Sequence, residues 1–88
     1  MIKQTIIIKN ENGLHALPAS RFVKMADKFQ CTVKISREGI EVDGKSIMGI
    51  LTLACEKGSA VELAVDGPDE QAAFAALSKI LEGDSDGY

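Results

Sequence analysis

The side chain best suited to chemistry in this sequence is its only histidine, which stands where a loop is predicted to meet a helix. The neutral imidazole of His15 is a nucleophile near neutral pH. A helix N-terminus carries unpaired N–H groups and partial positive charge, so it favours an anion bound to that ring. Pro18 has no N–H, and the backbone N–H groups of Ala16 and Leu17 are therefore the nearest donors. Spacing alone leaves a second interpretation open, in which His15 is a surface residue that weakly caps the helix.

Ser46 is a second candidate, because it directly precedes a short helix predicted over residues 47–53. Serine is a preferred N-cap, and its replacement typically costs about 1 kcal/mol of stability. This structural role accounts for the serine without any further function.

The two cysteines give no indication of a metal site. Cys31 and Cys55 stand 24 residues apart without a Cys-x-x-Cys motif, and one histidine cannot complete a usual Cys/His zinc set with them. We expect no bound metal and two reduced thiols that act as small hydrophobic side chains in a cytoplasmic protein, with a disulfide as the alternative.

Length and composition favour one small globular domain. The chain has 88 residues, of which 45% are hydrophobic and 26% charged, so it can bury one modest core. No apolar run approaches the roughly 20 residues of a membrane span, and no secretory cleavage pattern follows the first residues. We expect a single domain over residues 1–82 and an acidic, flexible tail over 83–88, without membrane insertion.

Charge divides the chain into a basic front and an acidic back. Residues 1–37 hold seven bases and two acids, whereas residues 38–88 hold three bases and eleven acids. The basic part contains His15, which favours a docking surface for acidic protein partners. Nucleic-acid binding is disfavoured, since the basic part lacks interleaved aromatic residues and the whole chain has a net charge of -3.

The hydrophobic pattern predicts the elements that must position these residues, in the order β-α-β-β-α-β-α. Alternating residues indicate strands, and apolar residues three and four apart indicate helices. A four-stranded antiparallel sheet with three helices packed on one face accommodates this order economically, as an open-faced α+β sandwich. The predicted strands cover residues 2–9, 31–36, 40–42 and 61–65, and the predicted helices begin at Ala16, cover 47–53, and run from the Gly67–Glu70 segment to Gly83.

Two motifs some thirty residues apart resemble those of the HPr family, the histidine-containing phosphocarriers of the bacterial phosphoenolpyruvate-dependent sugar phosphotransferase system. The first motif is Gly13-Leu14-His15-x-x-Pro18-Ala19, and the second, some thirty residues later, is Lys45-Ser46-Ile47-Met48-Gly49. The resemblance implies that His15 accepts a phosphoryl group on its δ1 nitrogen from phosphorylated enzyme I, and ultimately from phosphoenolpyruvate. It also implies that the group passes to a histidine of an enzyme IIA domain. It implies a carrier without cofactors rather than an enzyme with its own turnover, and we expect a monomer.

Leu17 departs from the family pattern, because HPr proteins usually carry an arginine two residues after the histidine. Leucine supplies neither a donor nor a charge, whereas the backbone N–H groups at Ala16 and Leu17 are kept. Arg21 lies one helical turn further on, and we expect it, or Lys24, to supply part of the missing positive charge. The alternative is that Arg21 contributes only to a docking surface.

The resemblance also implies regulation at Ser46. In many bacteria the equivalent serine is phosphorylated by an ATP-dependent HPr kinase/phosphorylase. The partners that the resemblance implies therefore include this kinase and a transcriptional regulator. The alternative is that Ser46 serves only as a helix cap.

The residues around the two motifs predict one shared partner interface. The short helix carries more apolar residues than it would normally bury, and an exposed apolar patch beside a functional site often marks a docking surface. The alternative is that all the apolar residues of this helix belong to the core. The predicted interface consists of Leu17, Ser20, Arg21, Lys24, Ile47, Met48 and Leu51.

A second function remains open from the sequence. The chain could be an HPr-like regulator of carbon or nitrogen metabolism that binds partners but transfers phosphoryl groups weakly or not at all, because Leu17 replaces the usual arginine. The histidine favours the carrier, and the leucine favours the regulator.

Overall fold

The computed structural model of the protein describes residues 1–11 and 13–83 and confirms the predicted order of elements. The predicted tail lies, apart from Gly83, outside the described residues. The elements are β1 (Ile2–Ile7), α1 (Ala16–Ala26), β2 (Thr32–Arg37), β3 (Ile40–Asp43), α2 (Ile47–Thr52), β4 (Ala60–Asp66) and α3 (Glu70–Leu81).

Most predicted element ends differ from the observed ones by one or two residues, and at two strand ends backbone groups find partners outside the strands. β1 was expected to reach Lys9 but ends at Ile7, since the N–H of Ile8 donates to Ser59 O at 2.8 Å and its carbonyl accepts from Gly58 N at 2.7 Å. β2 was expected to begin at Cys31, whose N–H instead donates to the Asp69 carboxylate at 3.1 Å.

The sheet has the strand order β1-β4-β2-β3, and every neighbouring pair is antiparallel. β4 and β2 are central, with Val33 opposite Val65 and Ile35 opposite Leu63. These four side chains are buried, and alternate residues of β4 and β2 point to the other face, so one face of the sheet meets the helices. The predicted α+β architecture is therefore confirmed.

The helices close the core with the faces that their periodicity predicts. α1 buries Ala19, Phe22 and Ala26, and α2 buries Ile50. α3 buries Ala73, Leu77, Ile80 and Leu81, whereas Phe74 and, in α1, Val23 are half-buried at the edge of the core. Burying each large apolar side chain contributes about 1.5–3 kcal/mol, so these faces hold the helices on the sheet.

Both cysteines are free thiols buried in this core, as expected. Burial raises the pKa of the Cys31 thiol and of the Cys55 thiol, because a thiolate would lose its hydration there. They therefore pack as small apolar side chains.

Candidate functional site

The loop between β1 and α1 is held in place by the chain that follows α2. The N–H of Leu14 donates to Cys55 O at 2.9 Å, and the Leu14 side chain is buried. Gly13 has a φ of +76°, and a Cβ at this position would meet the Cys55 carbonyl oxygen and lie 2.8 Å from Glu56 Cα. Only glycine fits this close approach without a shift of the backbone, so the contact determines where His15 begins the helix.

Asn10 anchors the same loop to the end of α3. Its side chain is buried, and with its NH2 group as donor it reaches Ile80 O at 3.0 Å and Leu81 O at 2.9 Å. The N–H of Lys9 also donates to Leu81 O at 3.1 Å. The sequence does not reveal this role, because nothing in the local pattern shows that a polar residue there is buried against a helix 70 residues further on.

His15 is the N-cap residue of α1, with an extended backbone (φ -103°, ψ -155°) and an exposed side chain. Its carbonyl accepts the Ala19 N–H at 2.8 Å, which starts the helix. Within residues 1–11 and 13–83, its ring makes no hydrogen bond that caps α1. His15 therefore occupies the N-cap position on the surface, as the alternative interpretation expected, but its ring does not cap the helix, and the imidazole is exposed to solvent.

The first turn of α1 presents backbone donors next to this ring. Ala16 and Leu17 occupy its first two positions, and N–H groups at these positions have no acceptor within a helix. Pro18 follows and has no N–H, as predicted. The first turn contains no acidic residue, so the local charge favours an anion on the imidazole.

Exposed apolar side chains lie on α1 and α2, which contact each other. The exposed fraction is 58% for Leu17, 70% for Met48 and 37% for Ile47, whereas Leu51 is half-buried. Of the apolar residues Ile47, Met48, Ile50 and Leu51 in α2, only Ile50 is fully buried, so the alternative that all the apolar residues of this helix belong to the core is wrong. The remaining residues of the predicted interface lie on α1, where Lys24 is exposed and Ser20 and Arg21 are half-buried.

Ser46 caps α2 as predicted. Its backbone is extended, and its hydroxyl oxygen accepts the Gly49 N–H at 3.2 Å. The neighbouring Lys45 donates from Nζ to Phe29 O at 2.9 Å, which ties the start of α2 to the segment that follows α1. The serine is half-buried, with its hydroxyl already engaged in this cap.

Arg37 holds the other end of α2, a role that the sequence did not indicate. Its Nη1 donates to Leu53 O at 3.0 Å. Leu53 is the C-cap residue of α2, and its carbonyl accepts no N–H group within the helix. The two ends of this short helix are thus fixed by side chains from different parts of the fold.

Within the described residues, no helix has both the length and the apolar character needed to cross a membrane. In the same part of the chain, no group of three or more histidine, cysteine, aspartate or glutamate side chains is placed to hold a metal ion.

Comparison with known families finds a model over nearly the whole chain. The family model described as "PTS HPr component phosphorylation site" matches residues 2–83. The matched segment begins with β1 and extends two residues beyond α3, so it includes both motifs and every element of the fold.

Individual relatives agree with this match in sequence and in structure. The phosphocarrier protein HPr of Neisseria meningitidis is 42% identical over 83 residues, which are 94% of this chain and 93% of that protein. The crystal structure of HPr-C-His from Thermoanaerobacter tengcongensis has a TM-score of 0.92 at 40% identity, with 100% of this chain and 99% of that chain covered. The crystal structure of Crh, a catabolite repression protein of Bacillus subtilis solved as a dimer with a swapped domain, has a TM-score of 0.77 at 36% identity and covers 96% and 97%.

Proposed function

Since the chain belongs to the HPr family of the phosphotransferase system, we propose that His15 accepts a phosphoryl group from phosphorylated enzyme I and passes it to a histidine of an enzyme IIA domain. The observation that carries this proposal is the exposed, uncapped imidazole at the start of α1. A reversible phosphoryl acceptor requires a ring that makes no hydrogen bond to its own helix and that lies next to backbone donors for the phosphoryl oxygens.

The transfer step follows from the site. The lone pair on Nδ1 of neutral His15 attacks the phosphorus of the donor phosphohistidine. The donor's N–P bond breaks, and its electron pair returns to the donor imidazole. The N–H groups of Ala16 and Leu17 donate to the phosphoryl oxygens, and the N-terminus of α1 stabilises their charge. The chain ends each cycle unchanged once the group leaves for enzyme IIA, so it is a carrier without a cofactor.

Radioactive phosphoenolpyruvate tests this proposal directly. Incubation with enzyme I should label the chain with an acid-labile phosphate, and His15→Ala should abolish the label. Ser46→Ala serves as the matched control, because it removes the other candidate phosphorylation site and should leave this label in place. A label that survives His15→Ala would place the acceptor elsewhere.

Arg21 is proposed to supply the positive charge that a leucine at position 17 does not. It lies one turn after Leu17 in α1, and helix side chains lean toward the N-terminus. Arg21→Ala should slow phosphohistidine formation several-fold, whereas Lys34→Ala, an exposed base on β2, should not. Equal rates in both variants would leave Arg21 with a docking role only.

Ser46 is proposed as a regulatory phosphorylation site for an HPr kinase/phosphorylase. Its hydroxyl is engaged in the cap of α2, so the kinase must displace the Gly49 hydrogen bond, and the phosphate would stand beside the exposed Ile47 and Met48. That charge would weaken docking through α2 and would offer a transcriptional regulator a new contact. ATP and the kinase should label wild-type chain but not Ser46→Ala, and labelling of both would exclude this site.

The predicted interface is proposed as the surface that each partner binds in turn. Its support is the set of exposed apolar residues on α1 and α2. We propose that the protein is a monomer in the cytoplasm, with one domain over residues 1–82. As a monomer it leaves these exposed residues accessible to each partner. Light scattering should return a mass near 9.4 kDa, and a mass twice as large would exclude the monomer.

The similarity to Crh supports a second candidate function, that of an HPr-like regulator with little phosphotransfer. The rate of phosphoryl exchange distinguishes the two candidate functions. A carrier returns its phosphoryl group to enzyme I or to enzyme IIA on a catalytic timescale, whereas a regulator binds its target after Ser46 phosphorylation without that exchange.

A further inference from the structure

We propose that Leu17 selects the partners of this chain. The protein that exchanges a phosphoryl group with His15 covers Leu17 with an apolar side chain and places acidic side chains next to Arg21 and Lys24 of α1. This inference rests on the proposed function and names the surface chemistry of the partner.

Leu17 must be covered during transfer because it is so close to the reacting ring. It lies two residues after His15 in the first turn of α1, and 58% of its surface is exposed. Reacting atoms must approach to about 3–3.5 Å for transfer. A folded partner that brings its own phosphohistidine this close therefore also lies over the first turn of α1.

The chemistry of leucine restricts what can lie opposite it. A carboxylate or amide pressed against this side chain would lose water and gain no hydrogen bond. An apolar side chain would instead bury two hydrophobic surfaces together. The apolar surface continues onto α2, which contacts α1 and carries the exposed side chains of Ile47 and Met48.

The charges of the two helices define the rest of the partner surface. α1 contains Arg21 and Lys24 and no acidic residue, and α2 contains no charged residue. Lys24 is exposed in the last turn of α1. A complementary partner is therefore apolar opposite Leu17, Ile47 and Met48 and acidic opposite Lys24.

Steady-state transfer from the phosphorylated enzyme I of the same organism tests the inference. Leu17→Ala should raise KM about tenfold with kcat nearly unchanged, because it removes most of the contact area of one side chain. Leu17→Met should restore KM to near the wild-type value. Leu17→Arg should raise KM further, because it places a charge against an apolar surface. Ile7→Ala is the matched control, since Ile7 is 45% exposed on β1 and points away from the face that buries Ile6, and it should leave KM unchanged.

The outcomes separate this inference from the proposed function. Normal labelling of His15 with an unchanged KM in Leu17→Ala, or with a lower KM in Leu17→Arg, would overturn the inference and leave the carrier function intact. A loss confined to kcat would also overturn it, because Leu17 would then act on the chemical step. Failure of wild-type chain to become labelled would refute the carrier function and this inference together.

Discussion

Replacing Gly13 by alanine tests whether a close backbone contact positions His15. Gly13 has a φ of +76°, a left-handed conformation that costs an L-residue about 1–2 kcal/mol. The added Cβ would also meet the carbonyl oxygen of Cys55 and lie 2.8 Å from Glu56 Cα, which is backbone that cannot rotate away. Forcing such a group into a packed site typically costs a further 1–3 kcal/mol or so.

Gly39→Ala is the matched control for this prediction. Gly39 has a φ of +85°, but within the described part of the chain no heavy atom lies within 4 Å of an added Cβ. The control therefore carries the backbone penalty without the clash. We expect Gly13→Ala to lower the free energy of unfolding by about 2–5 kcal/mol and Gly39→Ala by about 1–2 kcal/mol.

Urea denaturation of both variants measures the difference. A shift of the midpoint with an unchanged m-value reports a loss of stability in the same fold. Phosphohistidine formation in Gly13→Ala should also slow, because the loop that begins α1 must move, while the control keeps the wild-type rate. Equal losses of stability in the two variants would refute the role assigned to the contact with Cys55.

Three further predictions concern residues that hold the fold around the site. Asn10→Ala should lower the free energy of unfolding by about 1–3 kcal/mol in urea, since it removes two buried hydrogen bonds to the end of α3, and a loss as small as that of an exposed residue would contradict this role. Ser46→Ala should cost about 1 kcal/mol through loss of the cap on Gly49 N–H, and Ser46→Asp, which can cap, should recover most of it. The hydrogen bond from the Gln30 N–H lowers the pKa of Asp69 below its ordinary value of 3.8, so this carboxylate contributes its full stabilisation above that value and loses it as the pH falls through the lower folded pKa. In Asp69→Asn the free energy of unfolding should therefore fall less steeply as the pH is lowered into the acid range. A fall as steep as that of the wild type would show that the hydrogen bonds of Asp69 do not contribute to stability.

Local patterns in the sequence were sufficient to predict the helices and strands and much of the candidate site. The alternation of Val61, Leu63 and Val65 and the helical spacing of Ala19, Phe22 and Ala26 identify the buried faces, because one face of each element must leave water. The cap at Ser46 followed from residue type at the start of an apolar run. The exposure of Met48 followed from a short helix with too many apolar residues to bury.

Long-range contacts could not be predicted in this way. Asn10 reaches the end of α3, Asp69 reaches the N–H groups of Gln30 and Cys31, and Arg37 reaches Leu53 O. The partners in each pair are distant in the sequence and meet only in the tertiary fold, so the local pattern around one residue does not indicate the other. The same holds for the loop that precedes His15, because Gly13 and Leu14 contact the chain at Cys55, which is far away in the sequence.

The central claim is that His15 carries a phosphoryl group, and NMR spectroscopy of the ring tests it most directly. The chain, labelled with 15N in its histidine, is observed during incubation with phosphoenolpyruvate and enzyme I. We predict that the Nδ1 resonance of His15 shifts on phosphorylation and returns when an enzyme IIA domain is added. An unchanged histidine spectrum, in the presence of an enzyme I that phosphorylates another HPr protein, would contradict the carrier function.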